Sequence, residues 1–408
     1  MTSMTKTPTN EQSRVTGWQD QTFLVGEEIY LRSFVPGDEK NAMSWRSSVF
    51  PKSPRAMKKW IKKELPKEGN NKRAHLAIVR KSDDVVVGNI MSYHGQVSVS
   101  LYPYVDLLYG ETGQKWLADA ARLVARWQVD ERFVPRVDVH VPADQGVSID
   151  ALLADGFVQT ARWREMLERE NQRIDKLLLA YFSDAWLARL GNPMDVDLPN
   201  AGNGDARPVP TMMVPEGDPP KQAVLIGQRV YLRPQDKKDA KHYVDGHRLE
   251  TETFYDIGRN LTSLAAWESF VSSNANEDHP STLWFEVCLR ENDEPIGSVG
   301  LMDIDYVNRS AETGSHFYNP GYRGKGYGSE AKHLLLEYTF NVLGLHMVNS
   351  FCYFANTRSA AALRKQGYTE RGRVCWGYPY EGGFGNMLTF DLLAEEWRNL
   401  PREESTGS

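Results

Sequence analysis

Between Asn319 and Ala331 the chain reads NPGYRGKGYGSEA, four glycines and two cations, Arg323 and Lys325, just ahead of a helical pattern. A helix N-terminus offers unpaired N–H groups and a partial positive charge. Glycines such as Gly324, Gly326 and Gly328 let backbone approach a bulky anion, because no Cβ intervenes. The chemistry spelled here is a pyrophosphate cradle, although a plain glycine-rich turn reads the same way. A Walker loop, GxxxxGK[ST], is absent. A dinucleotide fingerprint belongs after the first strand of a βαβ unit, and this loop follows an antiparallel-type run of strands. Just upstream, AETGSHFY alternates so that Glu312, Gly314 and His316 share one strand face, unless a bulge changes the parity. A carboxylate and an imidazole there suit proton abstraction. The bland readings are a surface carboxylate and a histidine bonded to a neighbouring strand.

The elements that must position these groups follow in order. A strand ending in YLR comes first, then polar helical segments around Lys237 to Arg248 and Leu261 to Ser273. Two strands joined by an END turn follow, LWFEVCLRENDEPIGSVGLMDI. Next come AETGSHFY, the loop, and a helix with Leu334, Leu335, Tyr338 and Val342 at helical spacing. The strand HMVNSFCYF, the helix TRSAAALRKQG closed by Gly367, and two last strands complete the run. The same order occurs earlier. LVGEEIYLR matches LIGQRVYLR, DDVVVGNI matches NDEPIGSV, LLADGFVQTAR matches LRKQGYTERGR, and LLLAYFSDAW matches LTFDLLAEEW. Colinear matches of this kind indicate a duplicated domain. The expected division is a tail over 1–20, a first copy over 21–190, a Pro/Gly-rich linker over 191–222, a second copy over 223–400 and a tail over 401–408.

Bulk properties narrow the class. The 408 residues suffice for two cores. Hydrophobic content of 41% and charged content of 25% fit a soluble globular chain. No apolar run approaches a membrane span, and the N-terminus lacks a signal-peptide apolar region, so a cytoplasmic protein is expected. Three cysteines without close pairs argue against a disulfide framework or a zinc site. A net charge of −6 without a basic tract disfavours nucleic acid and mildly favours a cationic small substrate.

The run Arg-Gly-Lys-Gly-Tyr-Gly, after four strands and before a long helix, resembles the acyl-CoA signature of GCN5-related N-acetyltransferases, [R/Q]-x-x-G-x-[G/A]. Arg323, Gly326 and Gly328 match its fixed positions. The loop leading into Glu-Ala, the glutamate of AETGSHFY and the Asn-x-x-Ser of NTRSAAALRKQGYTERGR resemble the RimJ/RimL branch. The resemblance covers about Val224 to Trp397 closely and the first copy in outline. It implies an α/β fold with a bent mixed sheet, two such folds in tandem forming a pseudo-dimer within a monomer, and acetyl-CoA or another acyl-CoA as co-substrate without a metal. By the same resemblance two strands, AETGSHFY and HMVNSFCYF, would splay apart. The pantetheine arm would pair with the edge near Phe317 and Tyr318. The pyrophosphate would lie on Arg323, Gly324, Lys325, Gly326, Tyr327 and Gly328, and Asn356 and Ser359 would hold the arm from the other side. Glu312 is the implied base, with His316 able to share the role. A tyrosine common in the superfamily as general acid is Leu363 here, so the acid is unassigned.

The acceptor side is implied near the final hairpin and the early helical loops, giving Tyr255, Trp376, Tyr378, Tyr380 and Glu381. Rings there can face a cation or merely pack. The expected activity is acyl transfer to the primary amine of a small molecule such as an antibiotic or specialised metabolite. The rivals are an acyl-CoA sensor without turnover, a RimJ/RimL-type acetyltransferase of protein N-termini, and a tRNA-dependent aminoacyl-transferase. The acidic balance and the intact loop disfavour the last. In the first copy, Thr112, Lys115 and Leu117 stand against Arg323, Gly326 and Gly328, Leu101 against Glu312, and Gln145 against Asn356. That copy is therefore expected to keep a core, bind no acyl-CoA, and pack on the second copy.

Overall fold

The computed structural model describes residues 24–44, 52–68, 72–95, 97–197, 205–211, 217–250, 252, 263–274 and 279–403. The chain divides into two compact units. The first comprises residues up to Val141 with Gln145–Phe157 and Tyr181–Ser183; the second holds Pro142–Asp144, Val158–Ala180 and everything from Asp184 onward.

In the first unit the strands are β1 (Ile29–Arg32), β2 (Arg73–Arg80), β3 (Val86–His94), β4 (Ser98–Val105) and β5 (Arg136–Pro142), hydrogen-bonded in that order. All pairs are antiparallel except β4 with β5. Its helices are α1 (Pro54–Lys59), α2 (Leu65–Glu68), α3 (Gly110–Arg126) and α4 (Gly146–Ala154). Leu117, Ala121 and Val124 of α3 are buried, four and three residues apart, which is helical spacing for a core face.

The second unit opens with a hairpin that the sequence assigns to the first copy, β6 (Val158–Arg169) and β7 (Gln172–Phe182). After α5 (Asp184–Leu190) come β8 (Leu225–Ile226), β9 (Val230–Pro234), α6 (Ala240–Leu249), α7 (Leu264–Asn274), β10 (Leu283–Leu289), β11 (Pro295–Asp305) and β12 (Ser310–Phe317). Then follow α8 (Tyr327–Glu337), β13 (Met347–Tyr353), α9 (Thr357–Lys365), β14 (Thr369–Tyr380), β15 (Gly383–Leu393) and α10 (Ala394–Arg398). The strand order is β8-β9-β10-β11-β12-β13-β15-β14-β6-β7. Among the described strands of this unit, β12 with β13 is the parallel pair. The mixed α/β architecture is the one expected.

The hairpin is held by specific contacts. Gly372 of β14 pairs with Ala161 of β6, and a Cβ on Gly372 would lie 2.2 Å from the Thr160 carbonyl oxygen. Arg164 donates to Asp391, which is fully buried, and to Glu396. The expected linker is also partly packed. Arg373 donates to the carbonyls of Pro193, Met194 and Val196, and Val209 is buried in the core with Trp397.

Two details depart from the sequence reading. Val342 is 64% exposed rather than packed, because α8 runs into a π-helical turn over Tyr338–Val342 that rotates it outward. The ladders also correct the match between copies. Ser98 pairs with Arg136 as Ser310 pairs with Met347, so Ser100, not Leu101, is the counterpart of Glu312. The strand and the following helix differ in spacing between the copies, which made a single offset fail.

Candidate active site

The parallel pairing of β12 with β13 ends at Glu312 and Asn349. Beyond it the strands part. The Ser350 hydroxyl donates to the Thr313 carbonyl at 3.0 Å, at the apex of the wedge. Tyr318 gives its N–H to Ile296 on the far side, so alternation turns the main-chain groups of Ser315 and Phe317 into the gap. The expected edge is thus that of Phe317, while Tyr318 is buried with its hydroxyl on Glu286. Gly314 keeps the wedge open: a Cβ there would meet the Trp284 ring at 2.8 Å.

The wedge opens into a cavity of about 570 Å³. Its walls come from many elements, of which five carry the groups that matter here. Glu312, Gly314 and His316 line it from β12, Lys332 from α8, and Asn356, Ser359 and Leu363 from α9 and its cap. Tyr243 and His247 face it from α6 and Trp267 and Phe270 from α7. The Tyr243 ring lies 3.7 Å from Trp267 and 5.0 Å from His316, centroid to centroid.

The titrating groups differ sharply. Burial pushes the Glu312 carboxyl up to about 7; Asp303 adds to the rise and Lys332 opposes it. Burial pushes the Lys332 ammonium down to about 7 against the pull of Glu312. Burial, then His247 and Arg323, drive His316 down to about 4, and its Nε2 is buried without a hydrogen bond among the described residues. His316 is therefore neutral and weakly basic near pH 7, whereas Glu312 is matched to proton transfer there.

The glycine loop stands at the N-terminus of α8. A 3-10 turn over Pro320–Tyr322 is capped by Asn319, and α8 starts at Tyr327. Between them Gly324 and Gly326 take φ of 76° and 88°, which other residues adopt at a cost. The Gly326 carbonyl accepts from Ser329 and Glu330, leaving the N–H groups of Tyr327 and Gly328 at the helix mouth. A Cβ on Gly328 would come within 3.1 Å of the Phe317 ring, and one on Gly326 within 3.0 Å of Arg229. The bareness of the loop is a structural requirement, as an anion cradle demands.

The charges are arranged differently from the sequence expectation. Both terminal nitrogens of Arg323 donate to the Glu250 carboxylate, so its guanidinium is compensated within the protein. Lys325 lies over the Tyr322 ring at 5.8 Å. Arg229, which the sequence did not single out, donates to the Lys325 carbonyl at 2.8 Å and lies 4.9 Å from the Tyr327 ring centroid. On the other wall the Asn356 side chain accepts from the Ser359 N–H and caps α9.

The acceptor residues do not gather at this cavity. Trp376, Tyr380 and Glu381 line another, of about 310 Å³. Tyr378 is buried against Tyr353 at 4.4 Å. That expectation came from the resemblance; in the structure a bulge between Val374 and Tyr378 shifts the register of β14 against β15 at this hairpin. Tyr255 lies outside the described residues. The aromatic wall comes instead from α6 and α7. Its faint signals were Tyr243 with His247 four residues on, and Trp267 with Phe270 three on, inside segments read as polar helix.

Residues 229–369 match the acetyltransferase (GNAT) domain family. This segment is a GNAT acetyltransferase domain. The expectation of an N-acetyltransferase of that superfamily therefore holds for the second copy. The chain is 28% identical over 130 residues to the uncharacterized N-acetyltransferase YnaD of Bacillus subtilis, covering 32% of this chain and 74% of that one. It is 27% identical over 175 residues to spermidine N(1)-acetyltransferase of Escherichia coli, covering 41% of this chain and 88% of that one. Among solved structures, spermidine N-acetyltransferase of Vibrio cholerae in complex with CoA and spermine aligns with a TM-score of 0.37 at 21% identity, over 42% of this chain and 99% of that one. Among the described residues no helix is long and apolar enough to cross a membrane.

Proposed function

We propose that the chain transfers an acetyl group from acetyl-CoA to the primary amine of a small molecule, with its site in the second unit. The observation that carries this reading is a juxtaposition. The β12–β13 wedge opens beside a bare-backbone helix mouth and into a cavity that holds Glu312. The loop amides from Gly324 to Gly328, with Lys325, would take the pyrophosphate. The edge of Ser315 and Phe317 would pair with the arm as an added strand does, opposite Asn356 and Ser359. Bound there, acetyl-CoA supplies the thioester carbonyl. Glu312 takes the proton from the acceptor ammonium, and a main-chain N–H in the wedge polarises the carbonyl.

Within the superfamily we place the domain nearest RimJ/RimL, on the loop entering Glu330-Ala331 and on Asn356-x-x-Ser359. The spermidine enzymes among its relatives make polyamines the first acceptors to try. The cavity favours an amine with an apolar body, because Glu250 is already paired with Arg323 and the far wall is aromatic.

The test is thiol release from acetyl-CoA across a panel of spermidine, arylalkylamines and peptides with free N-termini, with product masses read in parallel. Acetylation of a small amine supports the reading. Tight acetyl-CoA binding with no thiol release from any acceptor would replace it with the sensor reading.

A further inference from the structure

Lys332 is an anomaly. Every residue of α8 from Glu330 to Leu336 is buried, so this helix has no solvated face. Lys332 is 2% exposed and lines the cavity. A lysine at a helix end can extend its ammonium to water, but this one sits mid-helix with the cavity as its outlet. An apolar side chain of similar length would be at least as stable there. The position calls for a functional account.

The two copies supply one. The π turns that end α3 and α8, Trp127–Glu131 and Tyr338–Val342, bring Ala121 into register with Lys332. The strand ladders bring Ser100 into register with Glu312. The first copy thus lacks both groups, and fills the helix position with an alanine that is fully buried. In the second copy both groups line one cavity, Lys332 almost wholly buried.

We infer that Lys332 is a positioning residue for Glu312: the two hold one proton between them across the cavity, and the ammonium keeps the carboxyl available as a base near neutral pH. This inference rests on the reading of Glu312 as the base. Other charged or titratable groups face the pair from the surrounding elements. Asp303 of β11 opposes ionisation of Glu312, and Lys176 of β7 lies beside Asp303 and Asp305. His316 of β12, His247 of α6 and the Arg323–Glu250 pair complete the ring. Among these, Lys332 is the cation that lowers Glu312.

The experiment follows the carboxyl by ¹³C NMR in protein labelled at glutamate side chains, with Glu312→Gln identifying the resonance. In Lys332→Met the Glu312 midpoint should rise by roughly one unit or more, as on loss of a nearby opposite charge. In Lys332→Arg it should stay near the wild-type value. An unchanged midpoint in Lys332→Met overturns the inference. Should that variant not fold, ¹⁵N signals of lysine side chains in wild type and Glu312→Gln serve instead. The Lys332 midpoint should fall in Glu312→Gln, and its constancy overturns the inference equally. Rates separate this from the base reading. If Glu312→Gln turns over at wild-type speed, Glu312 is not the base and both fall. If it is slow while the midpoints ignore one another, only the role of Lys332 falls.

Discussion

Two loops begin alike and end differently. In the first unit Asp106 caps a 3-10 turn over Leu107–Tyr109; in the second Asn319 caps one over Pro320–Tyr322. In the first, α3 starts at once, at Gly110, and runs 17 residues to its π turn; in the second, α8 waits until Tyr327 and runs 11. The segment that forms the cradle in one copy is wound into helix in the other. No glycine loop precedes this helix, so the backbone donors it offers are those of its first turn alone. The strands differ in the same sense. Where Gly314 leaves a gap, Tyr102 of the first copy stacks on His140 at 4.5 Å, the rings nearly parallel. Below that stack Arg136 donates to Asp138 at 2.6 Å and to Ser98 at 3.0 Å, the pair almost wholly buried. The lesson is that one frame can offer or withhold a bare-backbone loop and an open strand gap by where a helix starts and which side chain fills the gap.

The comparison breaks most easily at Glu312. Replacing it with Gln should lower kcat/KM by about 10²–10⁴, the usual worth of a positioned base, with acetyl-CoA affinity kept. Wild-type kcat/KM should rise with pH through about 7, because the carboxylate, not the acid, is the base. A variant as fast as wild type at every pH would make the second copy no more catalytic than the first.

Next comes the loop. Gly324→Ala with Gly326→Ala imposes two left-handed non-glycine residues, at about 1–2 kcal/mol each. Acetyl-CoA affinity should fall by about 100-fold with the far-UV spectrum unchanged. Calorimetry showing near-wild-type affinity would remove the cradle from the site.

Equilibrium dialysis of the intact chain should then count one acetyl-CoA, not two. A second site that survives the double alanine variant would mean that the helical first loop still binds.

The smallest effect is expected at the stack. Tyr102→Gly should not create a site. It should cost about 1 kcal/mol of stability or slightly more, from the lost ring pair and the added backbone freedom. Denaturant unfolding measures that cost, and acetyl-CoA uptake at a second site would show that the filled gap alone separates the copies.

Much of the site was legible because it lies in local sequence. Glycines at positive φ, an N-capping Asn356 and an alternating Glu312 are all short-range signals. What was missed came from packing between distant segments. Lys332 sits in a pattern that reads as the polar side of an amphipathic helix, and only burial of α8 on all sides makes it an interior charge. Arg323 seemed available until α6 brought Glu250 to it. The aromatic wall needs α6 and α7 folded over β12. Trp376, Tyr380 and Glu381 were placed by resemblance to a final hairpin, and here that hairpin lines a different cavity.

The hairpin β6–β7 carries a consequence for how the chain can be divided. A fragment beginning at residue 223 would contain every residue of the proposed site, yet β14 would lose its neighbour along Gly372. Asp391, fully buried, would keep Arg371 but lose the fork of Arg164. A sheet edge laid bare in this way recruits other chains. A fragment cut at the proline-rich joint is therefore expected to associate through this edge, whereas one that reaches back to Val158 keeps the edge covered.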